Sequence, residues 1–429
     1  MKIIDKLIKS VRTSFGGIKD PRSDNSSYTF SNLLNMGFAM FHLKDPSLSA
    51  YKEQYDVRSD NLRIVYGVEH LVGDTAFRKG IDKLIPKELQ KLFKPFLALL
   101  FALGVMQKRR VLDGRYTVVS VDGTGHYCSG SKSCDHCMVK KSSKGKISYY
   151  HQLLGAVAVH PTEATVFPVA CEAITKQDGS TKNDCELNAS KRIIPQIRKA
   201  LGEDEPIIAV FDALYLNGPH IKALKDKSIN FIIGTKGQTY LDVRVERLQE
   251  NNELQQCTWE TNRIRGVAYF ANGLILNGTH QDILVNYFEY TETDRQTGEQ
   301  TFYSTWATDI KITQENIREL VSVARCRWKI ENETFNTLKN QGYHLEHSYG
   351  HGKKYLSTNF AILTFLAFMI DQMAQHLDED FQAAKRTCKT FKALWERIRA
   401  IFYVLPTMSM SAVYRFIIKR RQAKIPPLI

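Results

Sequence analysis

The chain has 429 residues, 43% of them apolar and 24% charged, with a formal net charge of +14. That length and apolar content fill a sizeable core across two to four structural units and exclude a disordered tail. The excess of lysine and arginine sets up a positive field that attracts polyanions such as nucleic acid or acidic lipid, although an ordinary enzyme can also be basic.

The first fifteen residues, MKIIDKLIKSVRTSF, mix charge with apolar side chains and lack the unbroken apolar segment of a secretory signal. A cytoplasmic location is therefore expected, and with it eight reduced cysteines whose clusters are read as metal sites before disulfides. Residues 1–112 have helical texture: NLLNMGFAMFHL and LQKLFKPFLALLFALGVMQKRRVL are dense in Leu, Phe and Met with little β-branching. The longest apolar runs, 96–106 and 360–370, fall short of the roughly 20 residues that span a bilayer and read as core helices. Lys2, Lys6, Lys9, Arg12, Lys19 and Arg22 suit either a DNA-contacting face or a solvated one.

From about residue 115 the period changes. RYTVVSV, YYHQLLGAVAV, ATVFPVA, PIIAVF and INFIIGT are short β-branched runs, with ELNASKRIIPQIRKAL and NGPHIKALKDK between the later ones reading as helices. Three strands and then alternating helices and strands predict an α/β unit, a mixed sheet flanked by helices over 113–241. Residues 242–310 alternate again and read as an all-β insertion with a hairpin turn at DRQTGEQ. Residues 311–376 return to the α/β unit with a helix from near Thr313 to about Gln341, and 377–429 form a helical, basic C-terminal region.

Two strands lead into an aspartate: Asp122 in VVSVDGTG and Asp212 in IIAVFDALYLNG. Strand ends of an α/β sheet are where ligands and metals bind, and two carboxylates there suit a hard divalent cation, provided that the strands are neighbours. Either aspartate alone could simply cap a turn. A third acid would come from the helix after the insertion, ARCRWKIENETFNTLKNQ, where Arg327 and Glu331 share one face and Trp328, Ile330, Phe335 and Leu338 can anchor the other. Without the other acids that pair would read as a solvated i,i+4 ion pair.

In SVDGTG, VFDALYLNG and RCRWKIE, taken in this order with a β-rich insert before the third, the sequence resembles the DDE transposases of bacterial insertion sequences. The resemblance covers roughly 115–375. It implies an RNase H-like catalytic domain split by a β-strand insertion, with a metal-binding triad of Asp122, Asp212 and Glu331. It also implies Arg327 as the arginine of a Tyr-x2-Arg-x3-Glu-x6-Lys signature and two Mg²⁺ or Mn²⁺ ions for phosphoryl transfer. The implied partners are double-stranded DNA, as element ends and target, and further copies of the chain in a homodimer or higher multimer at the nucleoid. The N-terminal helices become the candidate for end recognition. Ala324 stands where the signature has tyrosine. Lys339 lies eight residues beyond Glu331 instead of seven, which on an ideal helix turns it by about 100°. Glu333 is a rival third acid; Glu331 is favoured because Arg327 and Glu331 keep the signature spacing. Gly123 and Gly125 are expected to turn the backbone sharply beside a phosphate. A nuclease without strand transfer, or a DNA-binding protein whose catalysis has decayed, would share much of this pattern.

Several further residues are candidates. Cys134 and Cys137 could form one zinc knuckle, with Cys128 plus His126 or a distant Cys171 or Cys185 as the remaining ligands, but the spacing fits ordinary zinc modules poorly and reduced thiols in a loop are the favoured reading. Lys140, Lys141, Lys144 and Lys146 make a basic loop that is either a phosphate clamp or simply solvated. Lys236, after INFIIGT, and Lys339 are candidates for DNA contact. His344, His347 and His351, with Glu346, are expected in a glycine-broken loop near DNA and not at a metal. Trp259 and Trp306 read as core residues of the insert.

Overall fold

The computed structural model describes residues 2–23, 26–175, 185–237 and 239–420. The β-branched run at Thr117 forms β1 (Thr117–Ser129), which continues through Asp122, Gly123 and Gly125 without the expected turn. Neither glycine has a positive φ, and the ladder to the next long strand shifts register only beyond Gly125. Then follow β2 (Met138–Lys141), β3 (Ile147–Val159), β4 (Phe167–Ile174), β5 (Ile207–Phe211) and β6 (Ile229–Gly234). Helices Glu186–Leu201 and Gly218–Lys225 fill the intervals after β4 and β5, as their patterns require. β2 was not anticipated: the lysines expected in a loop begin as its last two residues, and β2 and β3 form a hairpin arm.

The insert supplies β7 (Gln255–Glu260), β8 (Ile264–Ile275), β9 (Leu284–Asp294) and β10 (Gln300–Thr308). Among the described residues all ten strands belong to one sheet, in the order β2-β3-β1-β5-β6-β10-β9-β8-β7, with β4 also paired to β3. β1, β5 and β6 run parallel, and β10 continues the sheet antiparallel to β6, so the insert widens the core sheet. It starts later than its expected boundary at 242, because residues up to 250 complete a helix, Thr239–Glu250. Leu241 and Val245, one helical turn apart, are the buried residues that hold that helix down.

Helix Leu356–Leu377 is apolar on nearly every face and is correspondingly buried all round. By length and composition it would pass as a membrane span, but 83% of its most apolar window is buried inside the protein. The N-terminal helices and those beyond 377 pack around it together. Asn61 donates to the carbonyls of Phe402 and Leu405, Arg399 to those of Leu43 and Lys44, and Asp5 accepts from Ser411. The sequence boundaries near 112 and 376 therefore do not separate bodies in space.

The single helix expected from Thr313 to Gln341 is interrupted: Ile317–Arg325 ends in a turn at 326–327, and the helix resumes at 328 and passes through a π-helical turn, Ile330–Phe335, into Asn336–Asn340. Ile330, Phe335 and Leu338 are buried as anticipated, but Trp328 is not an anchor: it stands 41% exposed where the helix resumes.

Candidate active site

Parallel pairing of β1 with β5 sets Ser120 against Val210. Asp122 and Asp212 each lie two residues further along (212 − 122 = 210 − 120 = 90), so the two acids leave neighbouring strands at the same level. Asp212 follows β5 directly and accepts a hydrogen bond of 2.9 Å from the Leu214 amide, which fixes its carboxylate at the mouth of the next turn. Asp122 is mid-strand, and its carboxylate takes the Gly123 amide at 2.8 Å.

The third acid arrives over Asp122 because of a glycine on the other flank. Asp122 pairs with Gly155 of β3. A Cβ at 155 would stand 3.2 Å from Phe335 Cε1 and 3.6 Å from Ile330 Cδ1, so the bare backbone is the floor on which the π turn settles. Ser120 Oγ donates to the Arg327 carbonyl at 3.0 Å and ties the break to β1. Glu331 faces solvent on that turn, and its charge, with that of Asp212, is felt by Asp122; Glu333 is not among the main influences there.

The electrostatics are those of crowded carboxylates. Burial pushes the Asp122 carboxyl above its ordinary value; the Gly123 amide and Arg327 oppose this, while Asp212 and Glu331 reinforce it. Arg327 Nη1 lies 3.0 Å from Asp122 Oδ2. A fourth acid, missed in the sequence, completes the cluster: Glu186, first residue of the helix after β4, is pushed up by burial and by Asp122 and Asp212, while a 3.1 Å hydrogen bond from Tyr215 opposes. A side chain at Gly123 would overlap the Glu186 carboxylate, so this glycine makes room for an acid where a turn had been expected. Asp122 and Glu186 are each raised first by burial and then by neighbouring carboxylates, and acids of this kind with one arginine among them could hold a divalent cation.

Ala324, at the signature's tyrosine position, is buried with no hydroxyl to offer. A π-helical turn accommodates one extra residue, so the rotation of an ideal helix does not apply between Glu331 and Lys339. Lys339 pairs with Glu346 at 2.8 Å and acts electrostatically on His126 of β1. Lys236 is exposed in the turn after β6, at the same sheet edge as Asp212. Lys140 and Lys141 are exposed on β2, opposite Ser148 and Ile147. Trp306 is buried in the core, and Trp259 stacks on Tyr290 with ring centroids 5.0 Å apart.

Cys128 is exposed on β1 and is not among the residues whose ligand atoms converge at the knuckle. Cys134 and Cys137 instead meet His151 of β3 and His351. His344 and His347 stay in the loop as expected, His347 against Tyr349, whereas His351 turns inward. His126 is buried with neither ring nitrogen hydrogen-bonded.

A mixed sheet with acids on adjacent parallel strands and a third on a helix laid across them defines an RNase H-like catalytic core. The transposase DDE domain family matches residues 113–370, well over half of the chain, and the protein belongs to that family. Members act on DNA and typically use divalent metal ions. No curated protein matches the chain.

Proposed function

We propose that this protein moves an insertion sequence: it cuts DNA at the element's ends and joins the freed 3′-hydroxyl to target DNA. The observation that carries this reading is the common level of Asp122 and Asp212 on neighbouring parallel strands beneath the turn bearing Glu331. Two Mg²⁺ or Mn²⁺ ions held by these three acids would supply Lewis-acid charge and lower the pKa of a water. In cleavage the water oxygen would bond to phosphorus as the P–O3′ bond breaks, the water giving up one proton and the departing 3′-oxygen taking one from solvent, so that a 3′-hydroxyl and a 5′-phosphate remain. In joining, that hydroxyl attacks a target phosphorus in line and the target's own 3′-oxygen departs. One phosphodiester is made for one broken, so neither an energy source nor a covalent protein intermediate is required.

The chain's own groups hold and neutralise. Asp122 is fixed within a paired strand. Arg327 pairs with Asp122, and a cation on that carboxylate would free the guanidinium for a phosphate, which it can grip through two parallel hydrogen bonds. Lys236, Lys339, Lys140 and Lys141 supply positive charge along the backbone of the bound end. The protein would act as a homodimer or higher multimer on paired ends, at the bacterial nucleoid in the cytoplasm.

The test is a labelled duplex carrying the element's own end, incubated with Mg²⁺ or EDTA, beside Glu331→Gln and Glu333→Gln. Metal-dependent nicking at the end, lost by at least about 10³-fold in Glu331→Gln alone, is expected, together with joining of a precut end. Cutting without joining would make the protein a nuclease. Binding without cutting under every metal condition would make it a DNA-binding protein that has lost its chemistry.

A further inference from the structure

Four side chains far from the acid cluster converge on one point. Cys134 and Cys137 lie in the turn that leads into β2, His151 is on β3, and His351 follows the third acid by twenty residues (351 − 331). Their ligand atoms lie within 4.8 Å of one another. The two sulfurs are 3.8 Å apart, and His151 Nε2 is 3.5 Å from Cys134 Sγ and 3.4 Å from Cys137 Sγ. His351 Nε2 is 3.1 Å from Cys137 Sγ and 3.1 Å from His151 Nε2.

Those spacings have a simple geometric meaning. Four ligands around one zinc, with bonds of about 2.3 Å to sulfur and about 2.0–2.1 Å to nitrogen, form a tetrahedron with edges of about 3.8 Å between sulfurs, about 3.5 Å between sulfur and nitrogen and about 3.3 Å between nitrogens. The sulfur–sulfur edge, the two edges from His151 to sulfur and the nitrogen–nitrogen edge lie within about 0.2 Å of that set, and the Cys137–His351 edge of 3.1 Å is shorter than its ideal by about 0.4 Å. Two thiols and two imidazoles are also the ligand types of a closed structural zinc site. Cys137, His151 and His351 are 1%, 2% and 9% exposed, so three of the four are shielded from competing water.

The path of the chain makes this convergence deliberate. His351 sits between Gly350 and Gly352, at φ 139° and 71°, conformations that L side chains rarely adopt. Side chains there would strike Arg78 and Asp82 respectively, and Asp82 is already engaged by the amides of residues 353–356. Tyr127 stacks on the His351 ring at 4.5 Å and His136 on Tyr355 at 5.3 Å, bracing both sides of the point.

We propose that Cys134, Cys137, His151 and His351 bind one structural zinc ion that clips the base of the β2–β3 hairpin to the segment following the third acid. The clip holds the arm carrying Lys140, Lys141, Lys144 and Lys146 in register with the catalytic sheet. His151 Nδ1 is buried without a hydrogen-bond partner, so the site lacks the outer hydrogen bond that usually braces a zinc-bound imidazole. The proposal does not depend on the reaction that the acids carry out.

The full chain, purified under reducing conditions without chelator, is analysed for metal and then exchanged with Co²⁺. One zinc per chain is expected, and the cobalt form should show tetrahedral d–d bands with thiolate charge-transfer absorption. Cys134→Ser, at the least buried ligand, should lose the zinc, whereas Cys128→Ser and Asp122→Asn should keep it. Trypsin should spare the lysines of the arm in the wild type and cut there in Cys134→Ser. The cobalt spectrum of the wild type decides the ligand set even if a variant fails to fold. A wild-type chain that neither contains zinc nor takes up Zn²⁺ or Co²⁺ would overturn the proposal and leave a hydrogen-bonded thiol–imidazole cluster. Zinc retained in Cys134→Ser but lost in Asp122→Asn would overturn it as well, placing the metal at the acids.

Discussion

Glu186 is the residue whose role follows most directly from its neighbours. Its carboxylate lies against the bare backbone of Gly123, and it is raised by burial and by the charges of Asp122 and Asp212. Removing one negative charge should therefore relieve repulsion when no metal is bound and weaken the site when metal is bound. For Glu186→Gln we expect a higher melting temperature in EDTA than the wild type. We also expect end cleavage about 10–100-fold slower, with more Mg²⁺ needed for half-maximal rate, the size typical of a residue that supports metal ligands. DNA affinity in EDTA should be unchanged. A thermal scan with and without metal, beside a Mg²⁺ titration of cleavage, reads all three; if neither stability nor metal dependence moves, Glu186 serves only as the acceptor for Tyr215. Nothing in the local sequence marks this acid, since Glu186 opens an ordinary amphipathic helix. The signal lay in Gly123, whose missing side chain was first read as freedom to turn.

At the scale of elements, the β2–β3 arm carries exposed lysines, and these should act as phosphate contacts. Lys140→Ala/Lys141→Ala should weaken binding to any duplex to a similar degree. It should also lower the slope of log affinity against log salt by about 2, because each neutralised phosphate contributes about 0.9. Anisotropy titrations over a range of salt measure this; an unchanged slope would mean that the arm points away from DNA. The core strands were legible because β-branched runs such as VVSV, IIAVF and INFIIG have few other ways to bury themselves. The sequence left open whether the strands of the two aspartates are neighbours, and the parallel pairing of β1 with β5 meets that condition. Less legible were features that depend on contacts distant in sequence. β1 runs on past two glycines because β3 pairs with it there, and the third-acid helix breaks and widens because Phe335 and Ile330 seek the floor at Gly155. The cysteine knuckle was visible as a pair, but its histidines come from β3 and from a loop 214 residues beyond Cys137, a separation no local spacing rule can bridge.

The whole molecule is joined by a charged group buried among its helices. Asp371, on Leu356–Leu377, pairs with Lys44, lies 3.3 Å from His42 Nε2 and accepts a 2.7 Å hydrogen bond from Tyr343 of the segment following the third acid. Lys44 Nζ also donates to the His42 carbonyl at 2.7 Å and sits 3.7 Å from the centre of the Trp395 ring. Burial lowers the Lys44 amine to about 8, while Lys44 and His42 outweigh burial at Asp371 and hold that carboxyl below its ordinary value, so the pair is ionised at neutral pH. N-terminal, catalytic and C-terminal segments thus share one buried charge balance. Removing one partner strands the other charge without water, which costs about 3–5 kcal/mol. Asp371→Asn and Lys44→Met should each destabilise the protein by that order, and the double variant should cost clearly less than their sum, because the second change removes the charge stranded by the first. Urea unfolding followed by both tryptophan fluorescence and far-ultraviolet circular dichroism should give one coincident transition in every case. Two separated transitions, or costs that simply add, would show instead that the helical body and the catalytic sheet are stabilised independently and that Asp371 couples nothing.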